Sequence, residues 1–156
     1  MPLGYGLNVG DDLDSRMREY VDKIKQLSGE ISEKNSEIQA TEDALNELRS
    51  AGVASPKLEQ DFSNVLQKTL DEKSSLENER ESIRESATRE LEDAKQKIDE
   101  TVDKVSAIGG NQAAEMLSAL RDRATEIGEW EKELRDAVSE ADNSPSIGSK
   151  RLVRRR

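Results

Sequence analysis

Residues 13–48, LDSRMREYVDKIKQLSGEISEKNSEIQATEDALNEL, place apolar side chains at alternating spacings of three and four residues. The series consists of Leu13, Met17, Tyr20, Ile24, Leu27, Ile31, Ile38, Leu45 and Leu48, and only Lys34 and Thr41 interrupt it. This spacing keeps one apolar seam along one side of a long helix and is typical of a coiled coil. Because a single helix cannot bury such a seam alone, we expect the chain to pack against other helices.

The composition of the 156-residue chain also favours a coiled coil over a globular domain. Hydrophobic residues make up 33% of the chain and charged residues 37%, whereas an ordinary globular domain is roughly 45–50% apolar with glycine counted. The chain has no His and no Cys, which excludes a thiol nucleophile, an imidazole base and soft metal ligands. No apolar run approaches the roughly 18 residues of a membrane span, and no cleavable signal is visible at the N-terminus. We therefore expect no cofactor, no metal and no membrane span.

The carboxylates offer the remaining route to catalysis. Acidic pairs at spacings of three and four, such as Glu77/Glu81 and Glu126/Glu129, could serve a hydrolase or a metal cage. The alternative is a solvated helix face with ion pairs, which the charge pattern favours. We expect that the protein is not an enzyme.

Charge is unevenly distributed along the chain. The net charge is −10, and a basic tail closes the chain with Lys150, Arg151, Arg154, Arg155 and Arg156. The tail could contact phosphate backbones or an acidic partner, although without interleaved aromatic residues it predicts no base specificity. The alternative is a disordered, solubilising end or a tail that folds onto the acidic helices.

Turn and capping residues divide the chain into three helices, predicted at about 11–51, 56–107 and 112–142. Gly52 has the character of a residue that ends a helix, and Ser55-Pro56 that of a cap and first helical position. Gly109-Gly110 breaks the pattern a second time. We predict an extended arm at 1–10, a helical coiled-coil domain at 11–142, and a flexible linker with the basic tail at 143–156.

The apolar positions of the first two helices match as an antiparallel hairpin. In such a hairpin the numbers of facing residues add to a constant, here 107 or 108, in the pairs Leu13/Ala94, Met17/Leu91, Tyr20/Ala87, Ile24/Ile83, Ile31/Leu76, Ile38/Leu70 and Leu45/Phe62. The third helix folds back on the second, with Val105/Ala113, Ile98/Leu120, Ala94/Ala124 and Leu91/Ile127 as facing pairs. The predicted fold is all-α: an elongated antiparallel coiled-coil hairpin with a third helix folded back.

The two ends of the second helix have more apolar residues than one neighbouring helix can cover. Where only two helices meet, the apolar side chains beside the seam remain exposed to solvent, so we expect self-association or partner binding through them. The candidate residues are Leu58, Phe62, Val65, Leu66 and Leu70 at one end and Ile98, Val102, Val105 and Ile108 at the other. Trp130, the single Trp, lies beside the third seam, either at the edge of the core or as an exposed contact residue.

Two segments resemble a known family. REYVDKIKQLSGEISEKNSEIQATEDALNELRSAG (18–52) resembles the coiled-coil helix of the hydrophilic translocators of bacterial type III secretion, the needle-tip and needle-extension-filament proteins. IGEWEKELRDAVSEADNS (127–144), with Ile127, Trp130, Leu134 and Val138, is similar to a Trp-containing stretch of needle-tip proteins. The resemblance implies an exported, non-enzymatic subunit, secreted without a cleaved signal, whose helices polymerise or cap a needle. The basic C-terminus departs from that family.

Two functions follow from these observations. The first is a structural subunit that assembles with copies of itself or with other helical proteins, with a place in a secretion apparatus if the resemblance holds. The alternative is a cytoplasmic coiled-coil adaptor or scaffold whose basic tail contacts an acidic or nucleic-acid partner.

Overall fold

The computed structural model of the chain describes the backbone of residues 2–154 and the side chains of residues 13–139. It contains three helices, α1 (Pro2–Ser50), α2 (Pro56–Ile108) and α3 (Gly110–Arg154), and the described backbone includes no strand. The predicted all-α class, with a helical hairpin and a third helix, is confirmed. Within the described residues, no helix is both long enough and apolar enough to span a bilayer.

The two inner turns lie where the sequence placed them. Gly52 has a φ of 73°, the left-handed conformation that glycine adopts without strain after a helix. The Ser55 hydroxyl accepts a hydrogen bond from the backbone N–H of Leu58 at 3.2 Å, which caps the start of α2. Gly109 has a φ of 74° and separates α2 from α3. Local turn chemistry therefore fixes where the chain reverses.

The outer ends of α1 and α3 extend beyond their predicted limits. Helix α1 begins at Pro2 rather than at 11, and α3 continues to Arg154 rather than ending at 142. The backbone is thus helical where an extended arm and a flexible linker were predicted, and that part of the prediction was wrong. Adding a residue to an existing helix costs far less than starting one, so long helices run on through unfavourable residues. The side chains of both stretches, and Arg155 and Arg156 altogether, lie outside the described residues.

By its packing the chain divides into two units. The first consists of Met1–Asp22 and Ser82–Asp136, and the second of Lys23–Glu81 and Ala137–Arg156. Each unit draws on all three helices, and each is described in turn.

In the first unit, all three helices contribute to one apolar core. Its buried side chains are Leu13, Met17 and Val21 from α1, Ala87, Leu91 and Val105 from α2, and Ala113, Ile127 and Leu134 from α3. Met17 and Leu91, a predicted facing pair, are both fully buried. Both members of the predicted α2–α3 pairs Leu91/Ile127 and Val105/Ala113 are buried as well. The core thus forms where the facing apolar pairs of α1 with α2 and of α2 with α3 were predicted.

In the second unit, polar side chains fix the register of α1 against α2. These contacts are Arg80 Nη1 to Ser28 Oγ at 3.2 Å, Lys34 Nζ to Glu72 Oε1 at 2.9 Å, and Arg49 Nη2 to Glu59 Oε1 at 2.9 Å. The residue numbers of these pairs add to 108, 106 and 108, which agrees to within one residue with the predicted antiparallel constant of 107 or 108.

The seam of α2 in this unit differs from the prediction at one position. It follows alternating steps of four and three through Phe62, Leu66, Thr69, Lys73 and Leu76, all buried or half-buried. Thr69 is 5% exposed and Leu70 is 44% exposed, so the predicted seam pair Ile38/Leu70 was wrong by one residue. The Thr69 hydroxyl donates to the Val65 carbonyl at 2.9 Å, which satisfies its polar group inside the seam.

Candidate docking surface on the second helix

Two apolar side chains of the second unit flank the α2 seam on opposite sides. Val65 is 51% exposed and Leu70 is 44% exposed. With the seam drawn through Leu66 and Thr69, a turn of about 100° per residue places Val65 and Leu70 about 70° to either side of it. Helix α1 faces the seam between them, as the contacts of Ser28 with Arg80 and of Lys34 with Glu72 show. Both flanks therefore remain open to a further helix.

The other candidates at this end divide between the flanks and the seam. Leu58 lies two turns before Val65, on the same flank, and is half-buried. Phe62 and Leu66 lie in the seam and are also half-buried. Val53, in the turn that leads into α2, is exposed and was missed by the ladder argument because it lies outside a helix. The exposed apolar surface is thus a narrow flank of α2 and the turn before it.

In the first unit the predicted surplus of apolar surface is smaller. Ile98 and Val102 are half-buried and Val105 is only 6% exposed. The expectation that Val105 stays exposed was wrong, and its predicted facing residue in α3, Ala113, is buried as well. Of the candidates at this end only Ile108 is an exposed apolar side chain, and Met116 in α3, which was not predicted, is exposed as well.

A lysine in the seam of the second unit already has acidic partners. Lys34 lies 2.9 Å from Glu72 and 3.8 Å from Glu37. The hydrogen bond with Glu72 raises the pKa of Lys34 and lowers that of Glu72. A lysine in a coiled-coil seam can either turn its charge outward or pair with an acidic residue of a neighbouring subunit. The contact with Glu72 supports the first alternative.

Trp130 lies at the edge of the first unit's core and is anchored there. Its indole N–H donates to Asp14 Oδ1 at 3.0 Å, and Arg123 lies 3.1 Å from the same oxygen. Burial alone would raise the pKa of Asp14, but the hydrogen bonds from Arg123 and Trp130 outweigh it and hold that pKa below its ordinary value. Half-buried and with its polar atom used within the chain, Trp130 fits the core-edge alternative.

A second carboxylate of this unit receives two donors from α1. Both the Tyr20 hydroxyl and the Arg16 guanidinium donate to Glu90. Burial favours a higher pKa for Glu90, yet these two donors lower it. The hydrogen bond from the Tyr20 hydroxyl to Glu90 also raises the pKa of Tyr20. These groups tie α1 to α2 and keep the carboxylate charged, which is a structural role.

The described part of the chain contains no cluster of carboxylates placed to hold a metal ion. Comparison with protein-family models, curated proteins and solved structures found no match to this chain. The resemblance to type III secretion translocators therefore stays a prediction from residues 18–52 and 127–144. The candidate site rests on the geometry of α2 alone.

Proposed function

We propose that this protein is a non-catalytic, helical assembly protein that associates with other helices through the apolar flanks of α2. The observation that carries the proposal is the exposure of Val65 and Leu70 on both sides of a seam already covered by α1. Exposed apolar side chains at positions beside a coiled-coil seam are those that a third or fourth helix covers in a larger bundle. The partner is a second copy of the chain or another helical protein.

The energetics favour a reversible association. Burying a Val or Leu side chain completely stabilises by about 1.5–3 kcal/mol. Since each of these two side chains is about half exposed, covering both yields about 2 kcal/mol per chain. That is too little to hold a permanent dimer on its own, because association also costs rigid-body freedom. Leu58 and Val53 must contribute, or several chains must join.

A place in a secretion needle or filament is the more specific form of this proposal. It is supported by the likeness of residues 18–52 and 127–144 to the translocator helices, and by an apolar flank suited to helix packing. In this form the protein leaves a bacterium without a cleaved signal and polymerises outside it.

The test is the concentration dependence of the molar mass, measured by light scattering, with negative-stain microscopy of the most concentrated sample. We expect wild-type mass to rise with concentration and Val65→Asp/Leu70→Asp to stay monomeric with an unchanged helical circular dichroism spectrum. The matched control is Gln60→Asp/Gln67→Asp, which adds the same charge at exposed positions on the outer face of α2. The control should behave as wild type. A wild-type monomer at every concentration, or a Val65/Leu70 variant that assembles normally, would contradict the proposal.

A further inference from the structure

A stripe of side chains along the Val65 flank of α2 has a regular order of charges. Its members are Lys57, Asp61, Val65, Lys68 and Glu72, at spacings of four, four, three and four. At about 100° per residue these five positions fall within about 80° of the helix circumference. All five belong to the second unit, and Lys57, Asp61, Val65 and Lys68 are exposed while Glu72 is partly so. Along the chain the stripe has the order positive, negative, apolar, positive, negative.

This order is complementary to its own reverse. When two copies of the stripe lie antiparallel with Val65 at the centre, Asp61 of each copy meets Lys68 of the other, and Lys57 meets Glu72. All four outer layers then pair opposite charges, while Val65 packs on Val65. A parallel arrangement in the same register would instead place Lys57 on Lys57 and Asp61 on Asp61, which is repulsive.

We propose that a second copy of this chain docks on the stripe, α2 against α2, antiparallel about a twofold axis at Val65. The inference rests on the proposed function, because it names the partner and the register of the same exposed flank. A twofold interface uses one patch on both subunits, so a patch that complements its own reverse is the feature it requires. Leu58, on the same side of α2, then lies beside the Lys57–Glu72 layer and shields it from water.

The charges of the stripe can pair across the interface without breaking the hairpin. Lys57 lies 3.5 Å from Asp61 in its own chain, and both side chains are well exposed. Exposed pairs of this kind contribute little, so a change of partner is cheap. Glu72 bonds Lys34 through Oε1, and a carboxylate has acceptor capacity for a second cation.

The contact is short, which limits its strength. From Lys57 to Glu72 the helix advances about 22 Å, so two crossing helices bury less than the roughly 1,200 Å² of a standard stable interface. We therefore expect a weak dimer that forms with rising concentration and dissociates with rising salt, because its outer layers are exposed ion pairs.

Charge exchange tests the register directly. Asp61→Lys and Lys68→Asp should each weaken self-association about tenfold, because each creates two like-charge contacts per dimer. The double variant Asp61→Lys/Lys68→Asp restores every pair in exchanged order and should return the affinity to within about threefold of wild type. Glu47→Lys, an equal change of charge at an exposed position on α1, should have little effect. Sedimentation velocity at low salt measures all four variants against wild type.

A single introduced cysteine gives an independent readout, since the chain contains none. In the proposed register Val65 meets itself, so Val65→Cys should form a disulfide dimer much faster than Gln60→Cys, whose side chain lies on the outer face of α2. Wild-type association without charge rescue and without preferential crosslinking would overturn the register while leaving the proposed function standing. A wild-type chain that stays monomeric at every concentration would overturn both.

Discussion

The substitutions Leu27→Ala and Leu70→Ala apply the same chemical change to two leucines of the second unit that differ in burial. Leu27 is 2% exposed and Leu70 is 44% exposed. The apolar ladder of the sequence placed both leucines in a seam. The structure places only Leu27 there, so the two costs should differ.

The expected magnitudes follow from burial. A Leu→Ala change removes three carbon atoms, or about 2.4 kcal/mol at 0.8 kcal/mol per buried group. At Leu27 a cavity is left behind, which brings the total to about 3–4 kcal/mol. At Leu70 only about half of the transfer energy is lost, and the space opens to solvent instead of forming a cavity. That gives about 1 kcal/mol, so the two variants should differ by about 2 kcal/mol, or roughly thirtyfold in the unfolding constant.

Urea unfolding followed by far-ultraviolet circular dichroism measures both costs, at a protein concentration low enough to keep the chain monomeric. The slope of the unfolding free energy against urea concentration should be the same for both variants, so that a change in the urea midpoint reports a change in stability. Equal losses at the two positions would refute the assignment of Leu70 to the flank. They would show instead that the ladder prediction, with Leu70 facing Ile38, was right.

Three further perturbations test local features. Gly29→Ala should stabilise the chain by up to about 1 kcal/mol, because an added Cβ meets nothing within 4 Å. Gly52→Ala should destabilise it by about 1–2 kcal/mol, since φ there is 73°. Thermal melts measure both variants, and melting temperatures that shift in the same direction would contradict these expectations. Ser55→Ala should cost about 1 kcal/mol in urea unfolding through loss of the α2 cap, and a neutral result would show that the cap does not matter. The pKa of Asp14 is lowered on folding, so the stability that its carboxylate contributes is present above its unfolded pKa and is lost as pH falls through its folded pKa. In acid titrations of unfolding followed by Trp130 fluorescence, Asp14→Asn should therefore lose less stability than wild type as pH falls. An unchanged acid profile would contradict the role given to Asp14.

The hairpin and its register could be predicted from the sequence because they depend only on periodicity. A seam that repeats every three and four residues must face its partner, and matching two such seams fixes the antiparallel register to within a residue. The seam position next to Ile38 could not be predicted from hydrophobicity, because the apolar Leu70 lies beside the polar Thr69 that occupies it. Thr69 is buried because its position follows Leu66 by three, and its hydroxyl finds a backbone acceptor one turn away. Position in the repeat outweighed side-chain type.

The polar contacts of the first unit could not be predicted in this way. Trp130 and Asp14 are 116 residues apart in sequence, and their meeting depends on how far α3 is rotated about its own axis. The one available signal was chemical: a half-buried indole needs an acceptor for its N–H. That rule predicts that a partner exists but not which of the many carboxylates supplies it.

The two units differ in how much apolar side chain their α2 segments bury, and this bears on assembly. In the first unit α2 contributes Ala87, Leu91 and Val105 to the core, whereas the described α2 side chains of the second unit include one buried residue, the polar Thr69. The second unit therefore draws less stability from its own seam. An increment of about 1 kcal/mol from covering Val65 or Leu70 is then a larger share of what holds it together. Since a ligand that binds only the folded form raises its stability, a helix docked on these flanks would stabilise the unit it docks on, which couples association to folding at this end of α2.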